Sequence, residues 1–367
     1  MIKKISIAAL VVVSSGSYAS VLPETPVPFK NGAGVIDKNN IYIGLGSAGS
    51  SWYKLDAQAK EKKWIALADF PGGPREQATA AFIGGNIYVF GGIGKNRDGL
   101  TQVFNDVHMY QPKTNHWVKL MSHSPLGMAG HVTVVHNDKV FMTGGVNQNV
   151  FNGYFDDLNT AGNDKNIVAR VTSNYFDKKT EDYFFSKALL AFDPSSLQWS
   201  FVGESPWFGT AGSSAVNDSN KIYIINGEVK PGLRTDAVFQ LDFSGKDVKW
   251  NKIPSVSSPD GVAGGFAAMS YGNIVFAGGA GFKGSRRNYN NGKNYAHEGI
   301  KKFYSSDIHV WHDGKWHTSG TLPEGRAYGL SLPWKNGLLI LGGETVGGKV
   351  LADSILLTAD KNELKIE

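Results

Sequence analysis

Ile87-Tyr88-Val89-Phe90-Gly91-Gly92 is a short apolar run stopped by two glycines, and the chain writes that phrase six times. The other copies are Ile41-Tyr42-Ile43-Gly44-Leu45-Gly46, Val140-Phe141-Met142-Thr143-Gly144-Gly145, Ile222-Tyr223-Ile224-Ile225-Asn226-Gly227, Ile274-Val275-Phe276-Ala277-Gly278-Gly279 and Leu338-Leu339-Ile340-Leu341-Gly342-Gly343. A run of this length, bounded by glycine, reads as a strand buried on both faces.

The same companions surround each copy. A shorter apolar segment precedes it, as in Ala78 to Ile83 or Gly329 to Leu332. A third strand follows, as in Asp106 to Tyr110, Ala237 to Leu241 and Asp307 to Trp311. A tryptophan then opens a fourth segment that ends near proline: Trp64 to Pro71, Trp117 to Pro125, Trp199 to Pro206, Trp250 to Pro254 and Trp316 to Pro323. Four strands in a unit of roughly 50 residues is the period of a propeller blade, and the Gly-Gly pair with spaced aromatics resembles the kelch repeat. The expectation is an all-β, six-bladed kelch β-propeller forming a single domain over residues 20–367. The glycines and tryptophans are read as architecture: close backbone approach for the first, filling between blades for the second. Glu363 to Ile366 reads as the last fourth strand. Pro23, Pro26 and Pro28 make Val21 to Phe29 an edge at best. Which terminus closes the ring is left open.

In such a blade, the turn after strand two and the segment before strand one share a face. Two long insertions fall there, Asn147 to Ser186 and Gly281 to Phe303. The first reads as short helices, with Ile167, Val171 and Tyr175 four apart and Thr180 a cap before Glu181. Insertions of that length in a compact domain are usually functional. Both read as a rim over a pocket.

Blade four departs from the repeat: Asn226-Gly227 is followed at once by Glu228, with Arg234 six positions on. This reads either as a general acid/base beside an anion clamp or as a solvated ion pair. Arg75 and Arg326 stand before first strands, where a guanidinium either grips a carboxylate or braces the turn. Arg286, Arg287, Tyr289, Tyr295, His297 and Glu298 are further candidate substrate contacts in the second insertion.

Composition narrows the chemistry. The 367 residues contain no cysteine, which excludes disulfides, thiol nucleophiles and thiolate metal sites, and the nine histidines show no tight ligand spacing. Neither metal nor cofactor is expected. Lys3 and Lys4, the apolar run Ile5 to Val13 and Ser17-Tyr18-Ala19 read as a signal peptide over residues 1–19, its apolar run too short to span a bilayer. The expected location is the periplasm, where a core without disulfides is in place. Removing Lys3 and Lys4 lowers the formal charge from +5 to +3. So mild a charge argues against nucleic acid and suits a small anion.

Val21 to Lys30, Tyr42 to Gly49, Phe90 to Asn96, Gly281 to Arg286, Asn226-Gly227-Glu228 and Lys230 to Asp236 resemble the N-acetylneuraminate epimerase family, over essentially the whole chain after the leader. The resemblance implies a homodimeric, cofactor-independent mutarotase acting on free sialic acid, with Glu228 matching the family's proton acceptor and Arg234 its companion. A sialidase reading lacks the repeated Ser-x-Asp-x-Gly-x-x-Trp boxes, the nearest fragment being Asp313 to Trp316. A copper oxidase of the galactose-oxidase type lacks its cysteine. A non-catalytic glycan-binding propeller stays open, since fold does not give function.

Overall fold

The computed structural model describes residues 20–256, 259–360 and 363–367, so the leader expected at residues 1–19 lies outside the described part. Six four-stranded antiparallel sheets follow one another along the chain. In each, the glycine-ended phrase is the second strand, as in Asn86–Phe90 between Thr79–Ile83 and Asp106–Gln111. The first strands touch their neighbours in a closed circle, from Ala33–Asp37 through to Leu330–Trp334 and back. The architecture is a β-propeller.

The hydrophobic core is divided among the gaps between blades. Phe90 and Phe192 meet between the second and third, and Ile340 and Val275 between the fifth and sixth. The fourth-strand tryptophans reach the preceding blade through their indole N–H. Trp117 donates to Ala68 O at 2.9 Å, Trp199 to Ser122 Oγ at 3.1 Å and Trp316 to Pro254 O at 2.9 Å.

The glycine pairs staple the circle. The second glycine donates its N–H to the segment before the next blade: Gly92 to Met128 O, Gly145 to Thr210 O, Gly227 to Val262 O and Gly279 to Arg326 O, all at 2.7–2.9 Å. The first glycine has no room for a side chain. A Cβ on Gly91, whose φ is +61°, would lie 2.2 Å from Met128 O.

Closure answers the question of the termini. Glu363–Ile366 completes the sixth blade, as the sequence implies, pairing with Val350–Asp360. The proline-bearing N-terminal segment forms no strand; it runs as a strap along that blade. Thr25 N donates to Ala352 O, Phe29 N to Leu351 O, and Gly343 N to Phe29 O. Leu22 and Phe29 are buried between the first and sixth blades. Trp64 of the first blade donates to Pro23 O at 3.2 Å, so the strap stands where the other tryptophans find the blade before.

A collar surrounds the axis. Asn31, Gln77, Gly130, Gly212, Gly264 and Tyr328, just before the six first strands, all have φ between 54° and 67°. Five of the six neighbouring pairs are joined through the backbone: Gln77 N donates to Asn31 O, Gly212 N to Gly130 O, Gly264 N to Gly212 O, Tyr328 N to Gly264 O and Asn31 N to Tyr328 O. Left-handed backbone at these points turns each incoming segment sharply into its strand.

Both expected insertions carry helices. The first holds α1 (Gln148–Ala161) and α2 (Lys165–Phe176), whose N-termini are capped by the side chains of Asn147 and Asp164. Thr180 precedes a single helical turn, Glu181–Tyr183, but its hydroxyl donates to Glu181 Oε2 and does not cap the backbone. The second holds the short α3 (Ser285–Asn290), whose first N–H groups meet Asp260.

Candidate active site

Past the glycine pair, the second strand bends and continues toward the axis. In the fourth blade it becomes a small ribbon, Glu228–Lys230 against Leu233–Arg234, in which Glu228 and Arg234 are direct cross-strand partners. Gly232 makes the turn at φ +81°, with no space for a Cβ because His297 lies against it. Ala211, Ala263 and Ala327 pair with Glu228, Ala280 and Glu344, the residues just after the glycine pair in blades four, five and six. The repeat therefore places two glutamates at equivalent positions, with a small alanine between them.

Both glutamates line an axial cavity of about 370 Å³, together with collar residues Asn31, Gln77 and Tyr328 and with Arg234, Lys302 and His131. Glu228 Oε2 forms an ion pair with Arg234 Nη1. The carboxylate side chain is 21% exposed and the guanidinium 8%, so Glu228 is the member of the pair that meets the cavity. Arg234 Nε also donates to Ala280 O at 3.4 Å. Burial lowers the Arg234 pKa from its usual value, and the neighbouring Tyr328 opposes that shift.

Glu344 is held by three donors: Lys30 at Oε2, and Lys302 (2.7 Å) and Tyr304 at Oε1. Burial alone would raise its carboxyl; these hydrogen bonds outweigh burial and bring it down to about 2. His131 Nε2 meets Thr79 Oγ1 at 2.7 Å, and burial pushes its pKa down to about 3, so the ring is neutral. Among the described residues, no group of three or more His, Asp or Glu side chains could hold a metal ion.

The structure brings Glu228 and Arg234 into this cavity and places the other expected contacts elsewhere. Arg75 and Arg326 are corrected to braces. Arg75 makes a paired contact with Asp106 and donates to Gly91 O at 3.0 Å. Arg326 meets Asp353 at 2.8 and 3.0 Å and Gly342 O at 3.4 Å. Each thus ties the first glycine of its pair to an aspartate of the third strand, and at 3% and 1% exposure neither is free for a ligand.

The candidates of the second insertion hold the insertions together. Arg286 donates to Arg234 O, from behind the site. Tyr289 Oη accepts from Thr180 N at 3.2 Å, and Tyr295 stacks on Phe176 at 5.0 Å. His297 sits behind Gly232, its pKa pushed down to about 4 by burial and then by Arg234 and Lys230. Arg287 is exposed, and Glu298 pairs with Lys293 at the surface. Arg286 and Tyr289 border a larger groove of about 980 Å³ beside Phe184, Trp207 and Phe208. That groove is roomier than the axial cavity, but neither Glu228 nor Arg234 lines it.

Lys302, Glu344, Tyr328 and His131 were not singled out from the sequence. Glu344 carried a readable signal, because it follows Gly342-Gly343 as Glu228 follows Asn226-Gly227. An acid–base pair at the bottom of a cavity of this size is a site for one small molecule.

Relatives identify the lineage. The family model described as N-acetylneuraminate epimerase matches residues 22–366. The chain is 67% identical over 367 residues to the N-acetylneuraminate epimerases of Escherichia coli (strain K12) and Shigella flexneri, covering all of each. A solved structure described as "Structure of YjhT" superposes with a TM-score of 0.94 at 69% identity, covering 95% of this chain and 100% of that one. With strands, glycine staples and axial cavity accounted for, a match running almost from end to end makes this chain a member of the N-acetylneuraminate epimerase family.

Proposed function

We propose that this protein interconverts the α and β anomers of N-acetylneuraminate, with Glu228 as the proton carrier and Arg234 as its charge partner. The observation that carries this reading is the Glu228–Arg234 pair facing the axial cavity. Family membership supports the substrate class.

The chemistry asks little of the protein beyond proton traffic. Glu228 takes the proton from the C2 hydroxyl as the bond between C2 and the ring oxygen breaks. The ring oxygen takes a proton, from Glu228 or through a water, leaving an open-chain 2-keto acid. Rotation about C2–C3 turns the other carbonyl face to the same hydroxyl, and the steps reverse to give the opposite anomer. One carboxylate serves both directions because each passage returns the proton it borrowed. Arg234, rigid between Glu228 and Ala280 O, stabilises oxygen charge that grows as the ring opens. No cofactor enters these steps.

The same reading places the mature protein in the bacterial periplasm, from the leader pattern of residues 1–19. It also makes it a homodimer, on family resemblance alone. Mass spectrometry finding Ser20 as first residue, and light scattering, test those two points. The activity is tested by NMR on sialidase-released α-N-acetylneuraminate. The protein should bring the anomers to equilibrium faster than buffer does, and an unchanged relaxation rate rejects the assignment.

A further inference from the structure

The mechanism leaves one part of the substrate unheld. N-acetylneuraminate carries a carboxylate on C2, the reacting carbon, and a 2-keto sugar acid bound without a partner for that charge would waste the cavity's electrostatics. Arg75 and Arg326 are spent on Asp106 and Asp353. Arg234 is almost wholly buried against Glu228 and Ala280 O.

Among the described residues, one further cation lines the cavity, Lys302. Lys302 leaves the second insertion just before Phe303–Tyr304, the short strand paired with Ala280–Gly281. Its side chain is 34% exposed, the most of the charged side chains lining the cavity. Nζ gives one hydrogen bond to Glu344 Oε1 and lies 5.1 Å from the centres of both the Tyr304 and Tyr328 rings. Tyr328 belongs to the collar, so it fixes the ammonium relative to the axis.

The charges do not cancel. Glu228 is matched by Arg234, whereas Glu344 is matched twice, by Lys30 and by Lys302, leaving one positive charge in excess beside the cavity. Glu344, with three donors on its two oxygens, is held as an ionised carboxylate and is a weak proton acceptor. Its equivalence to Glu228 in the repeat is therefore one of position, not of role.

We propose that Lys302, anchored by Glu344 and Tyr328, grips the C2 carboxylate of the substrate and so presents the C2 hydroxyl to Glu228. The ammonium is suited to a fixed charge: burial alone would lower its pKa, but Glu344 and Tyr304 outweigh burial and hold it above the usual value. This assignment rests on the sialic acid reading and adds to it the means by which acid is told from neutral sugar.

The test uses the mature protein with N-acetylneuraminate and its methyl ester, which has the same ring and no carboxylate charge. Anomer exchange is followed by exchange NMR, and binding by calorimetry. The parent should prefer acid to ester. Lys302→Met should abolish that preference and raise KM for the acid by roughly 10- to 100-fold with kcat changed far less, the loss expected for a charged hydrogen bond. Lys302→Arg should keep most of the preference, which separates lost charge from lost fold. A Lys302→Met variant with the parent's KM and preference overturns the assignment. A parent that binds acid over ester, with Lys302→Met losing that selectivity, but does not speed anomer exchange, supports the carboxylate site and rejects the mutarotase reading. A parent that binds neither compound rejects both.

Discussion

Two glutamates occupy matching positions after the glycine pairs of blades four and six, and their neighbours give them opposite tasks. Glu228 has one cation; Glu344 has three donors, two of them cations, that hold it ionised. Glu228→Gln keeps the shape but carries no proton, and should lower anomerisation roughly 10²- to 10⁴-fold while the melting temperature stays close to the parent's. A folded variant at parental rate removes Glu228 from the mechanism. Glu344 gives a pH signature instead. Its carboxyl falls from 4.5 to about 2 on folding, so its contribution is complete above pH 4.5 and fades as pH drops toward 2. The parent should therefore out-melt Glu344→Gln by a margin that is constant above pH 4.5 and shrinks below it. A margin that does not change with pH assigns the stabilisation to shape alone. At this scale the sequence was half legible. Glu228 and Arg234 announce themselves because they lie six apart in one broken repeat. Arg75 and Arg326 do not reveal their partners, because Asp106 and Asp353 lie 31 and 27 positions away. Lys302 was passed over for the same reason, with Glu344 42 positions on.

The ribbon that carries Glu228 and Arg234 is too short to hold itself, and the two insertions grip it from outside. Lys230, between the two functional residues, is fully buried and donates to Phe176 O at 3.0 Å, Asn294 O at 2.8 Å and Lys178 O. It joins the end of α2 to the segment after α3 through one ammonium. Burial pushes its pKa down to about 8, with Asp177 and Asp182 opposing. Lys230→Met fills the same channel and leaves three carbonyls without a donor, each worth about 1–3 kcal/mol when stranded. Hydrogen exchange should speed up across α2 and residues 285–296 and stay unchanged in the blade strands. Unchanged exchange in the insertions would show that their aromatic contacts suffice. The helices were legible from the spacing of Ile167, Val171 and Tyr175. Their purpose was only partly so: both insertions border a groove, as a rim would, but Arg286 and His297 also brace the ribbon from behind the axial cavity. Periodicity reports that a segment folds, whereas what it packs against is a property of the whole chain.

For the whole molecule, the repeat was enough to give the propeller, because each phrase becomes the buried second strand of its own sheet. The closure was not legible, since a strap without strand pairing leaves no periodic trace. Val21 to Phe29 looks like an edge spoiled by prolines; in the structure the prolines suit a segment that makes only selected backbone bonds. The strap seals the gap between blades one and six with Leu22 and Phe29. Leu22→Ala should cost about 2–5 kcal/mol in denaturant unfolding, like any buried leucine left as a cavity. A loss near zero would mean that blades one and six hold each other without it.

The strap also sets an order in time. Leu22 finds Ser354 across 332 positions, and Lys30 finds Glu344 across 314. Ribosomes make Leu22 and Lys30 early and their partners almost last, so these contacts cannot form while the chain is growing. Loop closure over such separations is slow, and the circle of blades can shut only after synthesis has ended. The lysine pair on Glu344 then comes into being in the same event that locks the ring. A nascent chain with five finished blades would already own Glu228, Arg234 and Lys302, yet Tyr328 and Glu344, which anchor that lysine, arrive only with the final blade.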